Sequence, residues 1–440
     1  MGAVLCVDVG STFTKALLVG DDGVVLGRAS HPTTVATDVM DGVDAVRDAL
    51  GVAHDPEHLF LCSSAGGGLR LAVVGYEREV TAEAGFRVGL SAGARVVHVA
   101  SGPMSGADVT ALRAARPDVV LLVGGTDGGN ADVLLHNARR LARARTTAPV
   151  VVAGNAAVAE AVAAELAGTG RRHVVTANVL PRIGEVAPEG ARAAIREVFL
   201  RHVIGGKGLS RGRGFADLVR AATPDAVLGG VEVLADVRGE DVLVVDVGGA
   251  TTDVYSVISP QGEDAAIHRE VVGTMWHART VEADLGMRWN AEGVVEAAAR
   301  ERVPVTDEVA RYAERVVADT GHVAASADEW RCEEALARSA VTVALRRHGR
   351  PAPGERPRPL AEVGLLVGSG GVLRHADPAV ADRVLAAALT DHGGGWRVPD
   401  RAAPVVDRDY VLFAVGLLAA SDPVRARALA ASLAGRAELG

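Results

Sequence analysis

A chain of 440 residues exceeds one ordinary core and points to two or three domains. Its net charge of −9 leaves no electrostatic footprint for nucleic acid or an anionic membrane surface. The three cysteines, Cys6, Cys62 and Cys332, form no CxxC unit, which argues against a disulfide framework or zinc site and fits a reducing compartment.

Cys6 lies in an apolar run and reads as core. The first residues, 1–9, lack a basic n-region and contain Asp8, so no signal peptide is expected. The longest apolar runs, 119–123 and 411–420, are too short to span a bilayer, and the expected location is the cytoplasm. Abundant Gly, Ala and Val with few aromatics favour the buried strands and small-residue helices of an α/β fold.

In chain order, residues 4–9 read as a buried strand entering a tight turn. Strands are expected again at 13–19 and 24–29, with Asp21-Asp22-Gly23 closing the hairpin between them, and a helix at 39–50. A short strand at 59–62 leads into a small-residue loop, 63–68, and extended structure resumes at 69–74. Residues 81–91 look helical, with Thr81 as N-cap. From 95 to 176 the pattern alternates strand and helix: strands at 95–100, 118–123, 149–153 and 173–176, helices at 105–115, 130–144 and 156–166. Such alternation argues a parallel sheet covered by helices, with ligands expected at its carboxyl ends, where Gly124–Asn130 and Gly154-Asn155 form polar turns.

A helix is expected at 188–203 and a basic, Gly-rich surface connection at 205–214. Residues 241–247 form another apolar strand entering a Gly turn. Helices follow at 292–300 and 306–319, then a Pro-rich loop at 351–359, a strand at 363–367, and helices at 378–389 and 410–420. The Ala- and Arg-rich tail from Asp422 reads as a surface helix. Glu282 and Asp284 read as helix-capping acids and not as catalytic groups.

The strongest signal is a repeat. Val4-Leu5-Cys6-Val7-Asp8-Val9-Gly10-Ser11-Thr12-Phe13-Thr14 aligns without a gap on Val242-Leu243-Val244-Val245-Asp246-Val247-Gly248-Gly249-Ala250-Thr251-Thr252. Two such segments in opposite halves of the chain indicate an internal duplication. Small residues let backbone N–H groups approach phosphate oxygens, and the hydroxyls of Ser11, Thr12, Thr251 and Thr252 can add hydrogen bonds. A carboxylate at the strand end can hold Mg²⁺ through water. Two such hairpins facing each other would clamp a triphosphate.

A third Gly turn, Gly368-Ser369-Gly370-Gly371, follows the strand near 365 and precedes Arg374. In this order, the three turns resemble the two phosphate turns and the adenosine turn of the actin, heat-shock-chaperone and sugar-kinase superfold. That likeness implies a two-lobed actin-like ATPase of duplicated ribonuclease-H-like domains, with nucleotide in the interlobe cleft. The lobes are expected at 1–235, carrying an inserted α/β segment near 95–205, and at 236–440. It further implies ATP and Mg²⁺ as cofactors, with Asp8 and Asp246 serving the metal and the attacking water. Gly10, Ser11, Thr12, Thr14, Lys15, Gly248, Gly249, Ala250, Thr251 and Thr252 would contact phosphate. Gly368, Gly370, Gly371 and Arg374 would contact adenosine, and Gly416 would belong to a late interdomain helix.

Longer stretches narrow the resemblance. Residues 62–75 (CSSAGGGLRLAVVG), 121–137 (LLVGGTDGGNADVLLHN), 152–155, 178–185 (NVLPRIGE), 246–253 and 280–290 (TVEADLGMRWN) are similar to the glutamate (methylaspartate) mutase accessory proteins, the GlmL/MutL family. The similarity runs from the N-terminus to about residue 420. It implies a chaperone-like ATPase that reactivates an adenosylcobalamin-dependent mutase by exchanging damaged cobalamin, with the mutase subunits as partners. The chain has no Asp-x-His-x-x-Gly stretch to supply a lower-axial histidine, so it should act on a cobalamin enzyme and not be one. Three other readings of the superfold stay open: a small-molecule kinase, an actin-like filament former and a hydantoinase- or carboxylase-like ATPase. A kinase needs a general base, for which Asp127 is the candidate. The Gly124–Asn130 loop itself reads as a ligand contact, a partner contact or a structural turn.

Overall fold

The computed structural model describes the whole chain except residues 1, 54–57, 66–68, 77–84, 86–87, 90–93, 184, 186, 201–208, 211–213, 260–275, 351–357, 396 and 435–440. Most of the expected helix at 81–91, of the basic connection at 205–214 and of the Pro-rich loop lies outside the described residues, as does part of the small-residue loop after Ser63. The chain forms two compact units. One is Met1–Gly20 with Leu26–Ala226 and Ser259–Ala278; the other is Asp21–Val25 with Val227–Ile258 and Arg279–Gly440. Among the described residues no helix is long and apolar enough to cross a membrane.

The first unit holds strands β1 (Val4–Val9), β2 (Phe13–Val19), β3 (Val25–Pro32), β4 (Leu59–Ser63), β5 (Arg70–Gly75), β6 (Arg95–Ser101), β7 (Val119–Leu122), β8 (Val150–Val152), β9 (His173–Val175) and β10 (Val219–Ala222). They make two sheets, ordered β10-β4-β1-β2-β3 and β6-β5-β7-β8-β9. In the first, β1 pairs antiparallel with β2 and parallel with β4. Central strands β1 and β4 are buried along their whole length, whereas β3 alternates half-buried and exposed positions. This is why the former read as unbroken apolar runs and the latter does not. The second sheet is parallel throughout. It takes in β5, so it begins at Arg70, upstream of the alternation that announced it from residue 95. One core joins the two sheets: Val7 and Leu61 from the first pack with Leu71, Val73 and Leu121 from the second and with Ile195 of helix Glu189–Val198.

The second unit holds β11 (Val242–Val247), β12 (Thr252–Ile258), β13 (Trp276–Glu282) from Arg279 onward, β14 (Leu365–Ser369) and β15 (Ala403–Val406), ordered β13-β12-β11-β14-β15. Numbered within each sheet, both this and the first sheet of the other unit run third, second, first, fourth, fifth, the ribonuclease-H-like order. The repeat extends to register. β1 and β2 pair from Val4↔Val19 to Val9↔Thr14, and β11 and β12 from Val242↔Val257 to Val247↔Thr252, every residue displaced by one constant interval. The α/β, duplicated architecture expected from the sequence is therefore present strand for strand.

Two helices depart from expectation. The tail forms helix Pro423–Ala434, but Ala426, Leu429, Ala430 and Leu433 are buried, so it is a packed element and not a surface one. Those positions recur at helical spacing and make an apolar face that the composition hid. Arg425, itself buried, pairs with Asp21 at 2.6 Å and Asp422 at 3.1 Å. The 23-residue helix Ala327–Gly349 has no counterpart among the elements expected from the sequence. From Ser339 onward nearly every side chain is buried, so no polar face marks it.

That helix carries a pH-sensitive contact. His348 is fully buried, and its ring nitrogens meet Ser256 Oγ at 2.9 Å and Thr280 Oγ1 at 3.0 Å, tying β12 and β13 together. Burial pushes the imidazole well below its ordinary range, and the Arg358 charge adds to this. The native state thus binds fewer protons than the unfolded state below about pH 6.5, and stability falls with acidification. Between pH 6.5 and 5 the unfolding midpoint of the wild type should drop more steeply than that of His348→Gln, by up to about 1.4 kcal/mol per pH unit. Parallel slopes in urea titrations would remove His348 from the account.

Candidate functional site

Turn one begins where β1 ends. Gly10 N–H donates to Phe13 O at 3.1 Å, closing the hairpin. Its carbonyls point into the unit. Val9 O accepts from the N–H groups of Ser64 and Ala65, Gly10 O from the Thr33 hydroxyl at 2.8 Å, and Thr12 O from Thr33 N–H at 2.9 Å. Ser11 and Thr12 are exposed, and their backbone N–H groups have no partner among the described residues. A loop with bonded carbonyls and unbonded N–H groups presents positive dipole ends outward, which suits an anion.

Asp8 sits beneath this turn and is buried. Its Oδ1 accepts from Thr223 Oγ1 at 2.5 Å and from the Cys62 thiol at 3.6 Å. Burial, and the Asp8 carboxylate beside it, push the Cys62 thiol well up, so it stays a donor. Lys15 pairs with Asp8 across β1 and β2 and shares its face of the sheet. Thr223, the first residue of helix Thr223–Arg238, escaped the sequence reading because nothing local links it to Asp8.

Turn two repeats the pattern with different supports. Gly248 N–H donates to Thr251 O at 2.9 Å, matching Gly10 and Phe13. A strap of residues 285–290 runs along it and takes its carbonyls. Met287 N–H bonds Gly248 O at 3.0 Å, Arg288 and Trp289 N–H bond Gly249 O at 2.8 and 2.9 Å, and Asn290 Nδ2 bonds Ala250 O at 2.7 Å. A Cβ on Gly286 would lie 2.5 Å from the Ala250 carbonyl, so only glycine allows this approach. Gly249 and Ala250 keep N–H groups without a partner among the described residues. Asp246 is only half-buried, unlike Asp8. At the place of Lys15 in turn one, turn two has Asp253, paired with Arg279 at 2.8 Å.

Several predicted contacts need correction. Thr14 and Thr252 are fully buried, their hydroxyls spent on Thr33 Oγ1 at 3.2 Å and Leu285 O at 2.7 Å. They brace the turns from below, because alternation along each strand points them inward. Gly368 is interior too. A Cβ there would meet Leu373 and Leu385 at 2.9–3.0 Å, so only glycine fits between these side chains. Glu282 and Asp284 cap no helix. They hold Arg347 at 2.8 and 2.7 Å, and helix Ala291–Arg300 has Asn290 at its N-cap position. Arg347 holds the Asp284 carboxyl below its usual range, while burial raises that of Glu282.

The third turn remains as expected in shape. Gly370 has φ +95°, and a Cβ on it would strike the Val247 backbone, so the turn lies directly against the end of β11. Gly371, exposed, has nothing within 4 Å of where a Cβ would stand. Arg374 is half-buried, its guanidinium 5.1 Å from the Tyr410 ring centre and its Nε donating to Arg408 O at 3.2 Å.

The Gly124–Asn130 loop is self-contained in the first unit. Asp127 Oδ1 accepts from Ala156 N–H and Asn178 Nδ2, both at 2.8 Å, and Asn155 ties Gly128 and Gly129 at 3.0 Å each. These bonds lock the carboxyl ends of β7, β8 and β9 together, and a structural turn is the role they describe.

A family model described as MutL protein matches residues 4–433. Protein MutL of Clostridium tetanomorphum is 32% identical over 455 residues, spanning 97% of this chain and 98% of that one. Among solved structures, the chain is similar to a ROK family glucokinase from Streptomyces griseus in complex with glucose and AMPPNP, at 14% identity and TM-score 0.36 over 98% of this chain and 100% of that one. It is also similar to component A of the Acidaminococcus fermentans (R)-2-hydroxyglutaryl-CoA dehydratase, at 11% identity and TM-score 0.32 over 100% of both chains. Likenesses this distant add nothing to the strand orders and registers, on which the fold assignment rests. Near-complete coverage at the sequence level is decisive: the chain belongs to the MutL protein family.

Proposed function

We propose that this chain is an ATP-dependent accessory protein that reactivates adenosylcobalamin-dependent glutamate (methylaspartate) mutase. The observation that carries the nucleotide part is the doubly built hairpin turn, with carbonyls bonded inward and the N–H groups of Ser11, Thr12, Gly249 and Ala250 without a partner among the described residues. The mutase part is supported by membership of the MutL family and by the motif resemblance.

In this reading Ser11, Thr12, Gly249, Ala250 and Thr251 bind phosphate oxygens, with Lys15 adding charge. Gly10 and Gly248 hold the hairpins closed. Gly370 and Gly371 carry the nucleoside, with Arg374 beside them. Bound magnesium would supply charge neutralisation at the phosphates, and it needs few protein ligands because it keeps much of its water. The half-buried Asp246 fits such a water-mediated role. Asp8, oriented by Thr223 and Cys62, fits the positioning of a water or of a hydrated ion from beneath. ATP and ADP would favour different arrangements of the two units, and only that difference in free energy can be passed to the mutase.

The test is reactivation. Glutamate mutase blocked with cyanocobalamin is incubated with this protein and Mg-ATP, fresh adenosylcobalamin is added, and 3-methylaspartate formation is followed. Recovery should require hydrolysable ATP. Hydrolysis without any recovery would discard the mutase role while leaving an ATPase.

A further inference from the structure

We infer that Trp289 is a nucleoside-contacting residue that stacks on the base of the nucleotide held by turn two; the inference rests on the nucleotide reading above. The strap of residues 285–290 holds Trp289 in place. Its residues Met287, Arg288 and Trp289 are fixed by three backbone bonds to Gly248 and Gly249, so Trp289 is placed at the lip of the turn by hydrogen bonds of 2.8–3.0 Å. Arg288 turns inward. Its guanidinium reaches the buried Glu333 at 2.6 Å and His322 O at 3.1 Å, and Glu333 also accepts the Tyr312 hydroxyl at 2.7 Å.

With its neighbour anchored in the interior, Trp289 is 57% exposed. Tryptophan is highly buried on average, and a large aromatic left in water beside a rigid anion-binding turn has a surface still to be covered. Nothing in the strap requires an indole there, since only its backbone N–H is used. The sheet order puts β12 and β13, from which the strap follows, on one side of β11, and β14 with its Gly370-Gly371 turn on the other. Turn two thus has the Gly370-Gly371 turn on one side and, on the other, the strap that carries the exposed Trp289. Arg374, expected from the sequence to contact adenosine, already has its guanidinium 5.1 Å from the Tyr410 ring centre and a bond to Arg408 O. A purine base, flat and polarisable, is the chemistry that covers an indole.

Calorimetric titration of the wild type, Trp289→Ala and Trp289→Phe with Mg-ATP and with Mg-tripolyphosphate tests this, with thermal midpoints confirming the fold of each variant. Trp289→Ala should weaken Mg-ATP about tenfold, Trp289→Phe should stay within about threefold of the wild type, and tripolyphosphate binding should be the same for all three. Equal ATP affinity in Trp289→Ala and wild type would overturn the inference, as would equal loss of ATP and tripolyphosphate, which would mean a disturbed turn. A wild type that binds neither ligand would sink the nucleotide reading itself, a result distinct from both.

Discussion

Replacing Asp246 by alanine is expected to lower Mg-dependent ATP hydrolysis by about a hundredfold or more while shifting the unfolding midpoint little. The carboxylate ends β11 where turn two begins, and orientation of an ion or its water by such a group contributes several kcal/mol to a transition state. Asp246 is half-buried, and a typical substitution at such a position costs about 1 kcal/mol of stability. Asp8→Ala provides the contrast. It leaves the Thr223 hydroxyl, 2.5 Å from Asp8 Oδ1, without its acceptor in the interior, which adds about 1–3 kcal/mol of destabilisation to any loss of turnover. Phosphate release and urea titration on the two variants separate these effects. Hydrolysis by Asp246→Ala at the wild-type rate would remove the residue from the chemistry.

Gly370→Ala should be the most damaging single methyl group in the site. At φ +95° an L side chain is strained, and the added Cβ would lie 2.6 Å from Val247 C and 2.8 Å from its N. Those are backbone atoms of a central strand, which has no rotamer to swing away. The expected cost is about 3 kcal/mol or more, with displacement of the end of β11 and loss of nucleotide binding. Gly371→Ala is the matched control. Nothing lies within 4 Å of its Cβ position, so its unfolding midpoint should stay within about 0.5 kcal/mol of the wild type. A Gly370→Ala protein as stable as Gly371→Ala would show that the third turn is not seated against β11.

Local features were legible in the sequence because they are made by neighbours in the chain. The paired segments at 4–14 and 242–252 announced two hairpins, and strands β1, β2, β11 and β12 follow them in the same register. The alternation from 95 to 176 announced a parallel sheet, since its strands alternate along the chain with the helices that pack on them. The capping acid and hydroxyl at Ser105 and Asp108 fix one of those helices with a reciprocal capping box. The resemblance to the MutL family was legible for another reason: it depends on irregular loops, such as 280–290, whose residues are read one by one and not through periodicity.

What the sequence by itself determined, then, is the duplicated strand-and-turn framework and the family. The tertiary structure decided which residues of the framework face a ligand. Thr14 and Thr252 looked like phosphate ligands but turn inward, because strand alternation allots them to the core. Asp8 acquires Thr223, 215 residues away, and turn two acquires a strap from beyond β13. Helix Ala327–Gly349 is held by Glu282, Asp284, Glu301 and Asp391 through its arginines, partners scattered over the second unit. Hydrogen bonds and ion pairs of this kind join residues that chain packing alone brings together, and neither hydrophobic period nor turn chemistry records which distant groups will meet.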